Sequence, residues 1–260
     1  SSFAEVFHRL EPDFLVLLGD RYEIFAAAQA ALLAKIPIAH IAGGDSTEGA
    51  FDESFRHSIT KMAHLHFVTN ELSARRVQQL GENPKHIYVT GNPGLDQIKH
   101  LKLLSKGELQ KILRFKFRKK NILITFHPST LEEESPAKQF SELLKALDQL
   151  REEVGLIFTK PNADPGGKII MQMIDQFVEQ HPNAVTHTSL GQLVYLSTMQ
   201  HVNAVVGNSS SGIYEAPSFQ IPTVNIGNRQ KGRLFAASVI PCEAKWRKIL
   251  NAIKRAFSLD

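Results

Sequence analysis

A short, unbroken apolar run that closes on glycine or a polar residue recurs along this chain, and helix-like sequence separates each run from the next. No other feature constrains the fold as strongly. Phe14 to Leu18 closes on Gly19-Asp20, Pro37 to Ile41 on Gly43-Gly44-Asp45, and Ile87 to Thr90 on Gly91-Asn92-Pro93. Ile122 to Phe126 closes on His127-Pro128, Gly155 to Thr159 on Lys160-Pro161-Asn162, and Val202 to Val206 on Gly207-Asn208. Leu65 to Thr69, Val185 to Thr188 and Pro222 to Ile226 are shorter or less punctuated examples. Runs that are apolar at successive rather than alternate positions belong to strands covered on both faces, and such strands assemble in parallel sheets. The intervening stretches, among them Tyr22 to Ala34, Glu71 to Leu80, Pro136 to Glu152, Gly167 to Gln180 and Leu190 to Gln200, predict helices. A further helix is expected to end at about Ala63, after a loop that carries Thr47 to Asp52. Alternating strands and helices predict an α/β chain of doubly wound units.

Two such units are expected. The polar, Lys-rich segment from Lys99 to Lys120 has no strand character and is read as the junction. Residues 1–105 then form part of an N-terminal Rossmann-like domain and residues 106–260 a C-terminal one, the two facing a cleft. Phe3, Val6, Phe7 and Leu10 recur at i, i+3, i+4 and i+7, which predicts an amphipathic opening helix. A helix that feeds a buried strand normally follows another strand, so the first domain is expected to be incomplete at its N-terminus. Doubly wound units bind ligands at the carboxyl ends of their strands. Asp20, Asp45, His127, Asn162, Ser209 and Arg229 fall at or just past such ends.

Bulk properties narrow the function classes. With 260 residues, 43% hydrophobic and 22% charged, the chain is an ordinary globular one rather than a disordered one. A net charge of +4 and an isoelectric point near 9.1 suit an anionic small molecule. The nearest approach to a nucleic-acid patch, Arg114 to Lys120, reads as a solvated face, so no nucleic acid is expected. The apolar stretch from Phe25 to Ala42 is interrupted by Gln29, Lys35, Pro37 and His40 and does not read as a membrane span. A lone cysteine, Cys242, forbids an internal disulfide and a zinc site of the cysteine type, and fits a reducing cytoplasm. No metal site is expected.

The segment from Val205 to Arg233 carries the densest chemistry. Ser209, Ser210 and Ser211 lie at a strand-to-helix turn, where free backbone N–H groups, a helix start and hydroxyls make an anion site; helix capping accounts for serines there equally well. Glu215, about one and a half turns on, offers a carboxylate that accepts two hydrogen bonds and so suits a ribose diol. Arg229 reaches a phosphate or the ribose side, or is a solvated loop cation. Together these residues spell a nucleotide diphosphate grip without a Walker lysine or a GxGxxG loop. His127, at the end of its strand and before Pro128 and two hydroxyls, reads as a phosphate contact or as a structural histidine. Asn162 is a candidate for base or sugar. The first half supplies acids instead: Asp20 beside Arg21, then Asp45, Glu48, Asp52 and Glu53, with Arg56 and His57 one turn on. Asp52 and Arg56 are spaced for a surface ion pair, but acids facing a nucleotide sugar can also move protons at carbon.

"LGDRYEIFAAAQAAL", "IAHIAGGDSTEGAFDESFRHSITKMAHLHFVTNE", "FHPST" and the 205–233 segment resemble the hydrolysing UDP-N-acetylglucosamine 2-epimerases, most closely the bacterial branch that makes precursors of sialic and legionaminic acids. The resemblance covers nearly all of the chain. It implies a GT-B-like fold with UDP between two Rossmann-like domains, a cytoplasmic homodimer or homotetramer, and no cofactor. It implies elimination of UDP to a 2-acetamidoglucal, then hydration to free N-acetylmannosamine. By the same resemblance Asp20 falls on a catalytic acid and Arg21 on a UDP contact. Asp52 falls on a second catalytic carboxylate beside Glu53, with Arg56 and His57 following. His127, Asn162, Ser209, Ser210, Glu215 and Arg229 fall on UDP-binding positions. Many members carry glutamate where this chain has Ala42, and Asp45 is the nearby substitute. Three alternatives remain open. The same chemistry can act on UDP-2,4-diacetamido-2,4,6-trideoxyglucose, the chain can be a GT-B glycosyltransferase, or it can be a non-catalytic nucleotide-sugar sensor.

Overall fold

A computed structural model describes residues 2–46, 52–129, 134–150, 152–161 and 166–259. The chain divides into two compact units, Ser1–Asp96 with Lys231–Arg233, and Gln97–Gln230 with Leu234–Asp260. The sequence expectation sets its boundary after residue 105, whereas residues 97–105 group with the second unit.

The first unit runs α1 (Ser2–Leu10), β1 (Leu15–Leu18), α2 (Tyr22–Leu33), β2 (Ile38–Ile41), α3 (Asp52–Met62), β3 (Leu65–Val68), α4 (Glu71–Gln79) and β4 (Ile87–Val89). α5 (Pro93–His100) crosses the boundary. The four strands are parallel, in the order β1-β2-β3-β4, with Leu15 opposite Ile38, Ala39 opposite Leu65 and His66 opposite Ile87. α2 buries Ala27, Ala28, Ala30 and Ala31, side chains small enough to bring the helix close, and packs in one core with Phe7, Leu17, Ile38 and Ile59. On β1, Leu15 and Leu17 join the α2 core, and Val16 and Leu18 are 61% and 55% exposed in this chain.

The second unit runs α6 (Lys106–Leu113), β5 (Lys120–Thr125), α7 (Pro136–Asp148), β6 (Val154–Thr159), α8 (Gly167–Gln180), β7 (Ala184–His187), α9 (Gly191–Met199), β8 (Ala204–Gly207), α10 (Ser211–Tyr214), β9 (Thr223–Ile226), β10 (Val239–Cys242) and α11 (Trp246–Ser258). Its parallel sheet has the order β10-β9-β8-β5-β6-β7. The winding therefore reverses between β5 and β8, the place where doubly wound sheets open a crevice. Both faces are covered. Ile122, Ile124, Phe158 and Val206 pack on one side with Phe140, Ile174 and Ile253, while Leu123, Ile157 and Val205 pack on the other with Leu109, Leu113 and Met199. Each such side chain contributes about 1.5–3 kcal/mol by leaving water.

Four elements, α5, α6, β10 and α11, lie where the sequence reading places none. α6, inside the Lys-rich junction, is opened by a capping box between Ser105 and Glu108 and buries Leu109 and Leu113. β10 and α11 follow the last strand expected. α11 buries Ile249, Ala252, Ile253 and Ala256, an i, i+3, i+4, i+7 stripe. Among the described residues no helix is long and apolar enough to cross a membrane.

Candidate active site

In the second unit the polar residues gather where β5 and β8 part. Gly207 ends β8 at φ +141°, and the Asn208 N–H then donates to the Thr125 carbonyl at 3.2 Å. The Asn208 side chain continues the pairing. Its Oδ1 accepts from the His127 N–H at 2.7 Å, and its Nδ2 donates to the His127 carbonyl at 2.8 Å. The Asn208 carbonyl accepts from Arg229 Nη1 at 3.1 Å and Gln230 Nε2 at 2.8 Å. His127 and Arg229 thus come from two different strand ends and are held at one residue.

The serines follow directly. Ser211 Oγ pairs with Tyr195 Oη at 2.5 Å and donates to Ser209 Oγ at 3.2 Å, and the Ser211 N–H donates to Ser209 Oγ at 3.4 Å. Burial raises the Tyr195 hydroxyl pKa, which keeps it a neutral donor. Ser210 opens α10 without a side-chain capping bond among the described residues. α10 has only four residues, and half-buried Glu215 caps its C-terminal end rather than lying inside it. A single turn sums few peptide dipoles, so hydroxyls and loop N–H groups, rather than a helix start, are the donors here. A cavity of about 390 Å³ lies beside them, lined by Thr159, Lys160, Gln192, Tyr195, Ser209 and Ser211. Lys160 is tied to Asp175 at 2.7 Å. Asn162, Thr47 and Glu48 lie outside the described residues.

In the first unit the acids converge on α3. Arg56, 3% exposed, binds the Asp20 carboxylate and donates to the Asp45 carbonyl at 2.7 Å. Glu53 accepts from Ser46 Oγ at 3.0 Å and lies 3.5 Å from His57 Nε2. Asp45 Oδ1 accepts from Thr69 Oγ1 and Ser73 Oγ, each at 2.6 Å. Asp52 is the first residue of α3, one turn before Arg56. Arg21 is exposed and lies 3.7 Å from Glu23.

Behind this cluster sits a residue that sequence reasoning missed. His40, fully buried on β2, has Nε2 2.8 Å from the Gly19 carbonyl and Nδ1 3.1 Å from Thr60 Oγ1. Burial pushes its pKa down to about 4. A neutral ring therefore donates from Nε2 and fixes the peptide that precedes Asp20. The one available signal was a histidine inside an otherwise apolar strand. Among the described residues no group of three or more His, Cys, Asp or Glu side chains is placed to hold a metal ion.

The family described as UDP-N-acetylglucosamine 2-epimerase matches residues 1–259. The chain belongs to that family. It is 43% identical over 258 residues to the GDP/UDP-N,N'-diacetylbacillosamine 2-epimerase (hydrolyzing) of Campylobacter jejuni, covering 99% of this chain and 65% of that relative. It is 38% identical over 254 residues to polysialic acid biosynthesis protein P7 of Escherichia coli, covering 97% of this chain and 64% of that relative. The chain thus spans just under two thirds of the length of these two relatives. Among solved structures it resembles UDP-GlcNAc 2-epimerase from Neisseria meningitidis bound to UDP-GlcNAc, with a TM-score of 0.83 at 19% identity, covering 98% of this chain and 70% of that one. That likeness establishes for this epimerase-family chain the GT-B-like class, with two Rossmann-like α/β units.

Proposed function

We propose that this chain is part of a hydrolysing 2-epimerase that acts on a UDP-linked 2-acetamido sugar. A base takes the C2 proton, the C2–H electron pair forms the C1=C2 bond, and the C1–O bond breaks with its pair going to UDP. Water then adds its hydroxyl to C1 of the resulting 2-acetamidoglucal, and a proton returns to C2 on the opposite face. The free sugar leaves with inverted C2.

In this reading His127, Ser209, Ser210 and Arg229 bind the diphosphate, and Glu215 accepts from the ribose hydroxyls. Donors aimed at the leaving diphosphate lower the barrier to its departure. Asn162 is assigned to the same UDP site and Arg21 to a UDP contact. Asp20 and Asp52 move the protons, Glu53 and His57 support them, and Arg56 holds Asp20. Asp52, with Glu53 beside it, is assigned as the second carboxylate, and Asp45, whose Oδ1 accepts from two hydroxyls, is the alternative. The observation that carries the reading is the Arg56–Asp20 pair, which sets a carboxylate at a strand's carboxyl end in a chain of this family.

Two sugars compete. The P7 relative, named for polysialic acid biosynthesis, supports UDP-N-acetylglucosamine as substrate and N-acetylmannosamine as product. The more similar Campylobacter relative, named for N,N'-diacetylbacillosamine, favours UDP-2,4-diacetamido-2,4,6-trideoxyglucose. Full-length enzyme incubated with each in D2O, without any acceptor, tests both questions. The expected product is free 2-acetamido sugar carrying deuterium at C2 from one of the two. Product that keeps the substrate's C2 hydrogen overturns the elimination and favours a transferase using water.

A further inference from the structure

We infer that Asn208 is the positioning residue of the diphosphate site, acting through His127 and Arg229 without touching the ligand. The inference rests on the UDP reading above and adds a residue to it.

Asn208 is 1% exposed, so its side chain is not a ligand contact. Its position is what matters. β5 and β8 are paired up to Thr125 and Gly207, and beyond that point the two chains must diverge. The Asn208 N–H makes the last backbone rung, to the Thr125 carbonyl. One peptide further, the carboxamide supplies what a backbone would: an acceptor for the His127 N–H and a donor to the His127 carbonyl. A carboxamide presents an acceptor and a donor in one plane, as a peptide does. The His127 backbone is thereby fixed relative to the serine turn that begins at the next residue.

The other half of the device is the Asn208 carbonyl. Its two acceptor positions take Arg229 Nη1 and Gln230 Nε2. Gln230 is itself 1% exposed. The loop after β9 is therefore pinned to the same residue as the loop after β5. A guanidinium has five N–H donors, so one bond to a carbonyl does not exclude a phosphate contact. One residue fixes a histidine from β5, an arginine from the β9 loop and the hydroxyls of its own loop. Misplacing groups of this kind weakens binding even when every one of them is present.

The test is UDP titration calorimetry on the intact protein, with thermal melting alongside. Asn208→Ala removes only the carboxamide pairing with His127, since the main-chain carbonyl that holds Arg229 and Gln230 remains, and it is expected to weaken UDP about 10-fold as the His127 contact loses its alignment. Asn208→Asp keeps the shape but turns a second oxygen toward the His127 carbonyl, so it too is expected to bind weakly at pH 8. Burial favours protonation of the introduced carboxyl, and the protonated acid again donates to that carbonyl. The deficit of Asn208→Asp relative to wild type is therefore expected to shrink as pH falls from 8 to 5.5. A residue that only stabilises the fold would lower the melting temperature in both variants without this pH-dependent recovery of affinity. Wild-type affinity in a folded Asn208→Ala overturns the inference alone. So does an Asn208→Asp deficit that stays constant with pH, which also decides the matter if Asn208→Ala does not fold. Wild-type protein that does not bind UDP overturns the UDP reading and this inference with it.

Discussion

Arg56 binds the carboxylate of Asp20 while its own side chain is only 3% exposed. The pair ties the carboxyl end of β1 to the middle of α3, across 36 residues of chain. The same guanidinium donates to the Asp45 carbonyl, so it fixes two loops at once. A lysine offers a point charge and cannot span both acceptors in one plane. Arg56→Lys is therefore expected to lower stability by about 1–3 kcal/mol, less than for a fully buried pair because Asp20 keeps some solvent. Urea unfolding of wild type and variant measures it. Equal midpoints would mean that the pair holds nothing in place.

The pH dependence of stability should carry the mark of His40. Its folded pKa of about 4 lies below the ordinary histidine value of 6.5, so below pH 6.5 the unfolded chain binds a proton that the folded chain refuses. Stability is expected to be fully present above pH 6.5 and to be lost as pH falls toward 4, by about 3 kcal/mol in all. His66, whose pKa burial also lowers, acts in the same direction. Carboxylates titrate in the lower part of the window, so the diagnostic quantity is the difference between wild type and His40→Gln. That difference should vary most between pH 6.5 and 5. Parallel curves for the two proteins would show that His40 does not titrate in this window.

Gly207 marks the closest approach in the second sheet. A Cβ added there would lie 1.9 Å from the Thr125 carbonyl oxygen, and the residue's φ of +141° is one that side chains avoid. Gly207→Ala is expected to cost at least about 3 kcal/mol, since backbone on both sides must move. Gly19, at φ +90°, is the internal control: a Cβ there meets nothing within 4 Å, and only the backbone term of about 1 kcal/mol remains. Thermal melts that rank the two variants the other way would contradict this geometry.

What was legible in the sequence follows from where the signal is stored. The strands of the second sheet were legible because both faces are covered and nearly every position is apolar, as at Ile122, Leu123 and Ile124. α11 was readable from the spacing of Ile249, Ala252, Ile253 and Ala256, and was passed over because polar residues dilute that stripe. The family was legible from its motifs, and Asp20, Arg56 and His127 were named within them. The pairings that hold them were not legible. Arg56–Asp20 and Asn208–His127 span 36 and 81 residues, and such pairings depend on which strands become neighbours. Asn208 showed only as a polar residue after a strand, and its carboxamide pairing with His127 exists only once β8 lies beside β5.

Glu215 carries the ribose assignment. A carboxylate accepting from two hydroxyls makes charge-assisted bonds, and the amide of Glu215→Gln keeps one acceptor and loses the charge. UDP binding by the full-length protein is expected to weaken by about 1–3 kcal/mol. His127→Ala is expected to weaken UDP as well without unfolding the second unit. Uracil or uridine, which lack the diphosphate, should not register the His127 change. Unchanged UDP affinity in Glu215→Gln would remove Glu215 from the ribose role.

The acids of the first unit separate by what each substitution removes. Asp45→Asn retains an Oδ1 that can accept from Thr69 and Ser73, so it should leave the loop intact. Asp45→Ala leaves two hydroxyls without that acceptor and is expected to cost about 1–3 kcal/mol. Asp20→Asn and Asp52→Asn keep their shapes and lose the ability to exchange protons. If these two carry the proton transfers, each is expected to reduce turnover of the full-length enzyme at least about 100-fold while UDP still binds. Calorimetry and product release under single-turnover conditions give both quantities on the same preparation. If Asp52→Asn retains wild-type turnover while Asp20→Asn does not, the second carboxylate passes to Glu53, which holds Ser46 at 3.0 Å and faces His57. A Glu53→Gln variant then takes the 100-fold loss. If Asp45→Asn alone abolishes turnover, its bonds to Thr69 and Ser73 hold a reactive carboxylate rather than a loop anchor, and the ranking of Asp52 and Glu53 above it is wrong.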